Sequence, residues 1–289
     1  MNEITLEKYI AKYINKNALK NSEYAYKDIM ILISNYLNIS KDKLYTMLKD
    51  MYLDSRQAVE INDLLNKYFI DNIPLQYLTN LKLFFNEKYF VNENVLIPRD
   101  DTEILVEKAI DYIDKYSLKN IIDICTGSGC IGISIANNSS IDKVLLVDIS
   151  KSALDVAEKN VKLNNVKKDI SLIRSDLFLN IPNNIKYDII VSNPPYIPTN
   201  DILSLDVKVQ KEPRLALDGG KDGMDIYRSI INDARPYLKD NGFLLFEIGY
   251  DELESIKKIF SNYKEYEILE SVKDLAGNDR VIICRFHQI

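Results

Sequence analysis

The sequence YDIIVSNPPY, from Tyr187 to Tyr196, joins an apolar run to an unusual polar end. Its first six residues are rich in β-branched side chains and are stopped by two prolines, which predicts a short buried parallel strand. In open α/β sheets, chemistry collects just beyond the carboxyl ends of such strands. The Asn193 side-chain oxygen and the Pro194 carbonyl can each accept one N–H of an NH2 group. Pro195 stiffens the loop and Tyr196 offers an aromatic face to a planar group. The alternative is a proline-terminated strand end without chemistry.

Around this strand the chain alternates strand and helix, which predicts βαβ units and a mostly parallel sheet covered on both faces. The predicted strands are 121–125, 144–149, 170–174, 187–192 and 243–248, and the predicted helices are 130–137, 152–163, 224–238 and 251–262. Two further strands, 266–272 and 280–286, are joined by a connection too short for a crossover helix. We therefore expect these two to pair antiparallel at one end of the sheet.

The first 73 residues have a different pattern, with apolar side chains at helical spacing in four successive segments. This predicts a small helical bundle, and its use beyond packing would be to hold a macromolecular partner. Residues 74–98 form a linker with a predicted β-hairpin around Asn86-Glu87, and residues 99–289 form the α/β domain. An acidic segment at Asp100 to Glu103 predicts the start of a helix that runs to Tyr116.

A glycine-rich loop follows the first strand of the α/β domain. Gly127, Gly129 and Gly132 satisfy the GxGxxG pattern, and Asp148 ends the next strand, where a carboxylate that binds ribose belongs. This pattern predicts a nucleoside-type cofactor, with NAD and S-adenosylmethionine both open. The alternatives are a tight strand-to-helix turn for the glycines and a helix cap for Asp148.

The end of the third strand and the tetrapeptide at 193–196 refine this prediction. Asp176 and Leu177 would lie beside an adenine, with a helix or turn cap as the alternative role for Asp176. Hydride transfer has no need for two fixed acceptors around an NH2 group, whereas methylation of a nitrogen does. The combination therefore favours S-adenosylmethionine, whose sulfonium methyl is an electrophile.

Composition narrows the function classes. The net charge is −6 over 289 residues and neither part of the chain has a basic excess, which argues against a grip on nucleic acid. Cys125, Cys130 and Cys284 have no metal-ligand spacing and His287 is the one histidine, so we expect no metal and no histidine-based catalysis. The odd cysteine count, and the lack of a leader or of an 18-residue apolar run, predict a cytoplasmic protein without membrane contact.

From Pro74 onward the chain resembles the protein-(glutamine-N5) methyltransferases that act on bacterial class-1 peptide chain release factors. The Asn-Pro-Pro-Tyr motif alone is shared with adenine-N6 methyltransferases, but the segments 97–103 and 212–223 are more specific to the release-factor family. The matching motifs are PLQYL at 74–78, LIPR at 96–99 with Thr102-Glu103, TGSG at 126–129, VDIS at 147–150, SNPPYI at 192–197, EPRLAL at 212–217, GGKDG at 219–223 and EIG at 247–249.

The resemblance implies an α/β fold. Its core would be a seven-stranded Rossmann-like methyltransferase sheet, accompanied by the small helical bundle and the β-hairpin linker. It implies S-adenosylmethionine as methyl donor and the glutamine of a Gly-Gly-Gln loop as acceptor, in support of translation termination. The partners would be class-1 release factors, bound by a monomer that forms no stable complex with nucleic acid.

The resemblance also implies roles for individual residues. A loop would hold the methionine end of the cofactor, a carboxylate would bind its ribose, and the tetrapeptide would hold the substrate glutamine, with Asn193 close to both ligands. Arg99 is assigned to the substrate entrance, with an ion pair to Asp101 or Glu103 as the alternative. The cofactor residues are Cys125, Thr126, Gly127, Ser128, Gly129 and Asp148, and the substrate residues are Asn193, Pro194, Pro195 and Tyr196.

Two positions depart from the family pattern, since Cys125 and Asn80 stand where glycine is common. Cys125 is small, and asparagine tolerates left-handed backbone geometry, so we expect both loops to survive. Other readings stay open at this point: a glutamine methyltransferase of a ribosomal protein, an adenine-N6 nucleic-acid methyltransferase, or a binding module with a disabled methyltransferase domain. An NAD-dependent oxidoreductase is the weakest.

Overall fold

The structure, a computed structural model, describes residues 4–17 and 22–289. The chain divides into two compact units, Met1–Asn80 and Leu81–Ile289. Each unit contains a hydrophobic core of its own, and the two are described separately.

The first unit is helical, as its apolar spacing predicts. Polar residues start several of its helices: Thr5 and Ser40 each accept a hydrogen bond from a backbone N–H three residues on, and Asp54 forms a capping box with Gln57. The buried side chains come from all the longer helices and include Leu6, Ile29 and Leu65. The helices are α1 Leu6–Lys16, α2 Ser22–Tyr36, α3 Lys41–Met47, α4 Ser55–Phe69 and α5 Leu75–Thr79.

The end of this unit differs from the predicted linker at 74–98. Residues 74–80 belong with the bundle because Leu75 and Leu78 of α5 pack against its core. Asn80 ends α5 with φ of 52°, and its side-chain amide donates to the Tyr77 carbonyl at 3.1 Å. The left-handed turn expected of Asn80 is therefore present.

The second unit opens with the predicted hairpin, formed by β1 Lys82–Phe84 and β2 Glu87–Tyr89. Its two-residue turn is Phe85-Asn86, one residue earlier than predicted, and both residues have positive φ, 49° and 60°. Such a turn matches the right-handed twist of the strands. Phe84 and Tyr89 point into the core of the unit.

A seven-stranded sheet forms the centre of this unit, in the order β5-β4-β3-β6-β7-β9-β8. The strands from β3 to β7 are parallel, β9 is antiparallel to β7, and β8 is antiparallel to β9. The predicted seven-stranded sheet and its antiparallel terminal pair are confirmed. The strands are β3 Asn120–Ile124, β4 Lys143–Asp148, β5 Asp169–Arg174, β6 Tyr187–Ser192, β7 Leu238–Glu247, β8 Tyr266–Lys273 and β9 Asp279–Phe286.

Helices cover both faces of the sheet because successive strand side chains alternate between two cores. Ile121 and Ile189 join one core with α6, α7 and α8, whereas their neighbours Ile122 and Ile190 join the other with α9 and α10. The helices are α6 Glu103–Tyr116, α7 Cys130–Asn138, α8 Lys151–Leu163, α9 Asp225–Asp233 and α10 Leu253–Phe260. Across the described part of the chain, no helix has the length and apolar character needed to cross a membrane.

The predicted helix at 224–238 is wrong at its carboxyl end. The helix α9 ends at Asp233, a short 3-10 turn spans Arg235–Tyr237, and β7 begins at Leu238. Pro236 lies in that turn and cannot donate the backbone hydrogen bond that a continuing helix needs. The apolar residues that follow therefore belong to a strand longer than the predicted 243–248.

The strand order places a topological switch at β3. The chain moves from β3 outward to β4 and β5, then returns to β6 on the opposite side of β3. Loops that leave the carboxyl ends of β3 and β6 run to opposite faces, which opens a crevice between them.

Candidate active site

A cavity lies at the carboxyl ends of β3, β4, β5 and β6. Seven residues predicted from the sequence to form the site line it together: Cys125, Gly127, Asp148, Asp176, Leu177, Asn193 and Pro195. The rest of its wall comes from neighbours of these residues at the strand ends, from α8 and α9, and from two segments that the sequence did not predict, at 94–96 and 213–218. These additional lining residues include Asn94, Val95, Leu96, Pro213, Leu215, Ala216, Asp218 and Ile226.

The glycine-rich loop leaves room on the cavity side and allows close packing on the other. Gly127 has φ of 53°, and a Cβ added there would meet no atom within 4 Å, so the backbone faces open space. At Gly132, a Cβ would lie 2.3 Å from Leu146 Cδ2, so only glycine lets α7 pack this closely on β4. The loop thus presents main chain to the cavity from a tightly packed support.

Thr126 and Ser128 are buried and, like Gly129, do not line this cavity. The Thr126 hydroxyl donates to Asp123 Oδ2 at 2.6 Å, and the Gly132 N–H donates to the same oxygen at 3.1 Å. Burial raises the pKa of Asp123 to about 7, although these two hydrogen bonds oppose the rise. Asp123, which no sequence pattern singled out, therefore holds the loop in place through these two hydrogen bonds.

Asp148 sits where a ligand of ribose hydroxyls is expected, at the end of β4. Its Oδ2 accepts from the Gly127 N–H at 2.9 Å and its Oδ1 accepts from the Ser150 N–H at 2.8 Å. Burial raises the pKa of Asp148 despite these bonds. Ser150 itself caps α8, so the alternative role of Asp148 as that helix's cap does not apply. Each carboxylate oxygen retains a lone pair for a hydroxyl donor.

Two other cavity residues adopt left-handed backbone geometry. Cys125 has φ of 60° and Leu177 has φ of 45°, which is uncommon for residues with a Cβ. Burial raises the pKa of the Cys125 thiol, so it is neutral at physiological pH. Leu177 is half-buried and Asp176 beside it is exposed, so an apolar and an acidic side chain adjoin on one wall.

The tetrapeptide begins directly after β6. The half-buried Asn193 lines the cavity, and its Nδ2 donates to the Thr102 hydroxyl oxygen at 3.2 Å. Pro194 is buried and Pro195 faces the cavity. The peptide bonds that precede the two prolines are both trans.

The segment 217–223 packs against the main chain at Tyr196. The Ile197 N–H donates to the Leu217 carbonyl, and the Gly219 N–H donates to the Ile197 carbonyl, both at 2.9 Å. A Cβ on Gly219 would lie 2.7 Å from Tyr196 Cα, so the two main chains meet in direct contact. Burial raises the pKa of Tyr196 well above its usual value, so its hydroxyl stays protonated.

Arg99 forms an ion pair that differs from both partners considered for it. Its guanidinium lies 2.6 Å from the buried carboxylate of Glu212, and that carboxylate also accepts from the Ile97 N–H at 2.9 Å. Asp101 pairs with Arg280 at 3.2 Å, and Glu103 accepts from the Phe85 N–H at 2.7 Å. Arg99 and Glu212 thus tie the segment 97–99 to the loop that holds Tyr196.

Thr102, Glu212 and Glu247 were not predicted as site residues, although Thr102 bonds Asn193 and Glu212 bonds Arg99. Glu247 ends the buried strand β7 beside β6, and a carboxylate closing an apolar strand was the signal that could have identified it. All three residues lie in recognised sequence motifs. Their partners lie far away in sequence, so their contacts could not be read from local spacing.

The cavity fits a nucleoside cofactor that carries an amino-acid tail. It combines open main chain at Gly127, a carboxylate with free lone pairs at Asp148, and apolar surface at Leu177. These are the features that accommodate a polar tail, ribose hydroxyls and a flat base.

Comparison with known proteins supports the same conclusion. A family model described as the methyltransferase small domain matches residues 100–208. A release factor glutamine methyltransferase of Fusobacterium nucleatum is 37% identical over 279 residues, covering 95% of this chain and 76% of its own length. Another, of Clostridium acetobutylicum, is 38% identical over 274 residues, with coverage of 91% and 92%.

The fold is also found among solved structures. A methyltransferase from Pyrococcus furiosus aligns with a TM-score of 0.51 at 16% identity, covering 82% of this chain and 100% of that one. With most of its length matched to named relatives, the chain belongs to the release factor glutamine methyltransferase family and is a methyltransferase with S-adenosylmethionine as methyl donor.

Proposed function

We propose that the enzyme methylates the side-chain amide nitrogen, N5, of the glutamine in the Gly-Gly-Gln loop of class-1 peptide chain release factors. The observation that carries this proposal is the position of Asn193. Its side chain lines the same cavity as Gly127 and Asp148, and its NH2 end is tied to Thr102. An acceptor for a substrate NH2 group therefore adjoins the cofactor site.

Different residues would hold different parts of the cofactor. Asp148 would accept hydrogen bonds from the ribose hydroxyls, while Asp176 and Leu177 would contact the adenine by its amine and its ring face. The loop Cys125 to Gly129 would hold the methionine end, with Gly127 offering open main chain. When bound, S-adenosylmethionine supplies a methyl group on a positively charged sulfonium, which is an electrophile.

The residues around the substrate would promote the reaction by positioning the glutamine amide. An amide nitrogen is a poor nucleophile because its lone pair is delocalised into the carbonyl. Asn193 Oδ1 and the Pro194 carbonyl would each accept one N–H, and Tyr196 would pack against the amide plane. Well-aligned proximity can contribute ~7–11 kcal/mol, which makes catalysis without a general base plausible. The amide proton then leaves to solvent.

We assign the helical unit Met1–Asn80 to holding the protein partner, and we expect a cytoplasmic monomer. Its equal numbers of acidic and basic residues give no excess charge for gripping a nucleic-acid backbone. Arg99 would then shape the substrate entrance through its link to Glu212.

The direct test is transfer of labelled methyl from S-adenosylmethionine to a purified class-1 release factor, with DNA and ribosomal protein as parallel acceptors. We expect label on the release factor that disappears when the Gly-Gly-Gln glutamine is replaced by alanine. Label on DNA or ribosomal protein instead would overturn the substrate assignment. The absence of label on all three, with cofactor bound, would indicate a binding module.

A further inference from the structure

A buried group of polar side chains lies next to Asn193 and outside the cavity. Thr102 ends the 3-10 turn Asp100–Thr102 and is 2% exposed, and Glu247 ends β7 and is 1% exposed. In the sheet register Ser192 pairs with Phe246, so Asn193 and Glu247 are the next residues along two adjacent parallel strands. Neither Thr102 nor Glu247 lines the cavity, so neither is placed to touch a ligand there.

The hydrogen bond that joins Asn193 to this group has a direction. Asn193 Nδ2 donates to Thr102 Oγ1 at 3.2 Å. The Thr102 hydroxyl and the Asn193 amide both lower the pKa of the neighbouring Glu247 carboxyl, as groups that favour its ionised form do. An ionised carboxylate only accepts hydrogen bonds, so a Thr102 hydroxyl that donates to Glu247 keeps a lone pair for the Asn193 NH2 group. The NH2 end of Asn193 is then held by protein, and its Oδ1 is left for the cavity.

The orientation of the Asn193 amide should depend on whether the Glu247 carboxyl is ionised. Burial raises the pKa of Glu247 to about 7, and Thr102, Asn193 and the charge of Arg280 oppose the rise. Among the described residues, Glu247 Oε2 and Arg280 Nε are buried without a hydrogen-bond partner. The other titratable groups that interact with Glu247 from neighbouring elements are Asp101, Cys130, Tyr196 and Tyr227.

We propose that Thr102 and Glu247 are positioning residues that fix the orientation of the Asn193 side-chain amide, so that its oxygen and not its NH2 group meets the substrate amide. A flipped Asn193 would set NH2 against NH2 and lose the acceptor. The inference rests on the proposed function, in which Asn193 accepts an N–H from the acceptor glutamine.

The test compares Thr102→Val, Thr102→Ser and Glu247→Gln with the wild-type full-length enzyme, using steady-state methylation of the release factor. Valine keeps the shape of threonine but removes the hydroxyl, so kcat should fall about 10- to 100-fold, the scale on which misplaced catalytic groups act. Serine keeps the hydroxyl and should recover most of that loss. The dissociation constant of S-adenosylmethionine, measured by calorimetry, should change less than about threefold in all three, because neither residue lines the cofactor cavity.

The Glu247→Gln variant adds a readout that general destabilisation would not give. Wild-type kcat should decline as the pH falls through about 7, because a protonated Glu247 can donate to Thr102 and reverse the direction of the bonds. In Glu247→Gln this decline should be absent and kcat low throughout. Ser134→Ala is the matched control, because it removes an equally buried hydroxyl, one that bonds Tyr89 at 2.7 Å and lies outside this group. Its kcat should match wild type.

A second measurement does not depend on the acceptor. With 15N-asparagine labelling, the Asn193 side-chain NH2 signal, assigned by its loss in Asn193→Ser, should exchange slowly with solvent in the wild type. It should exchange faster in Thr102→Val. A folded Thr102→Val enzyme with wild-type kcat and slow exchange would overturn the proposal, as would a loss of activity that Thr102→Ser does not restore. Wild-type enzyme without activity on the release factor, but with slow Asn193 exchange, would contradict the proposed substrate alone.

Discussion

Asn193 is the residue on which the proposed chemistry depends most. Replacement by alanine removes the acceptor for one substrate N–H, and we expect kcat to fall at least about 100-fold, as when a single transition-state hydrogen-bonding group is removed elsewhere. The affinity for S-adenosylmethionine should stay within about threefold, because the cofactor contacts that we propose for Asp148, Leu177 and the main chain at Gly127 remain. Steady-state kinetics and calorimetry give the two values.

Asn137→Ala is a suitable control for that substitution. Asn137 is exposed on α7, where it donates to Glu87 at 2.6 Å, so its removal should leave kcat unchanged. Near-normal turnover in Asn193→Ala would show that the tetrapeptide does not hold the acceptor.

Asp123 predicts a pH dependence of stability. Its pKa is raised in the folded protein, from 3.8 to about 7, because it is fully buried. A carboxyl with a raised folded-state pKa binds its proton more tightly when folded, so its stabilising contribution is complete below pH 3.8 and is lost as the pH rises to about 7. The loss amounts to roughly 4 kcal/mol.

Asp123→Asn should remove this contribution while keeping an oxygen to accept from Thr126 and Gly132. Urea unfolding at several pH values between 4 and 8 measures it, as the difference between the two unfolding free energies. That difference should shift in favour of the asparagine variant as the pH rises. A difference that is independent of pH would mean that Asp123 ionises as readily folded as unfolded.

At the scale of elements, the loop between β3 and α7 places a strained residue in the cofactor cavity. Cys125 has φ of 60°, where a β-branched residue is strongly disfavoured and glycine is not. Cys125→Val should therefore cost about 1–3 kcal/mol of strain. If that strain is relieved by moving the loop, affinity for S-adenosylmethionine should weaken about tenfold or more.

Cys125→Gly is the matched variant, because it relieves the backbone while removing the thiol. Its cofactor affinity, measured by calorimetry, should remain within about threefold of wild type. Equal affinities in the valine and glycine variants would show that the backbone geometry at Cys125 does not matter for the cofactor.

The sequence was sufficient for the elements whose signals are local. Apolar strands ended by glycine or proline, such as Tyr187–Ser192, and the short connection before β9 predicted the sheet and its antiparallel pair. The prediction from sequence failed where a helix-breaking residue interrupted apolar side chains at helical spacing. Pro236 ended the predicted helix at 224–238 early. The prediction also failed for contacts between distant segments. Arg99 could have paired with acids nearby in sequence, and only the fold brings Glu212 to it.

For the whole molecule, the packing of the two units around separate cores has a thermodynamic consequence. Every residue that we assign to the cofactor lies in Leu81–Ile289, and the core of Met1–Asn80 is made by its own helices. A ligand at 100 times its dissociation constant stabilises the state that binds it by about 2.7 kcal/mol. That stabilisation should slow hydrogen exchange only for the local unfolding events that disrupt the cofactor cavity.

Hydrogen exchange followed by mass spectrometry, with and without S-adenosylmethionine, can locate the effect. Protection should increase most in peptides that contain Cys125 to Gly129, Asp148 and Asn193, and peptides from α1 to α4 should exchange at the same rate in both conditions. The variant Cys125→Val, with an affinity expected to be about tenfold weaker, should be stabilised by only about 1.4 kcal/mol at the same ligand concentration, so its protection should be about half that of the wild type. Equal protection in the helical unit would mean that the two units unfold together. A bound ligand slows exchange only in segments whose unfolding also abolishes ligand binding.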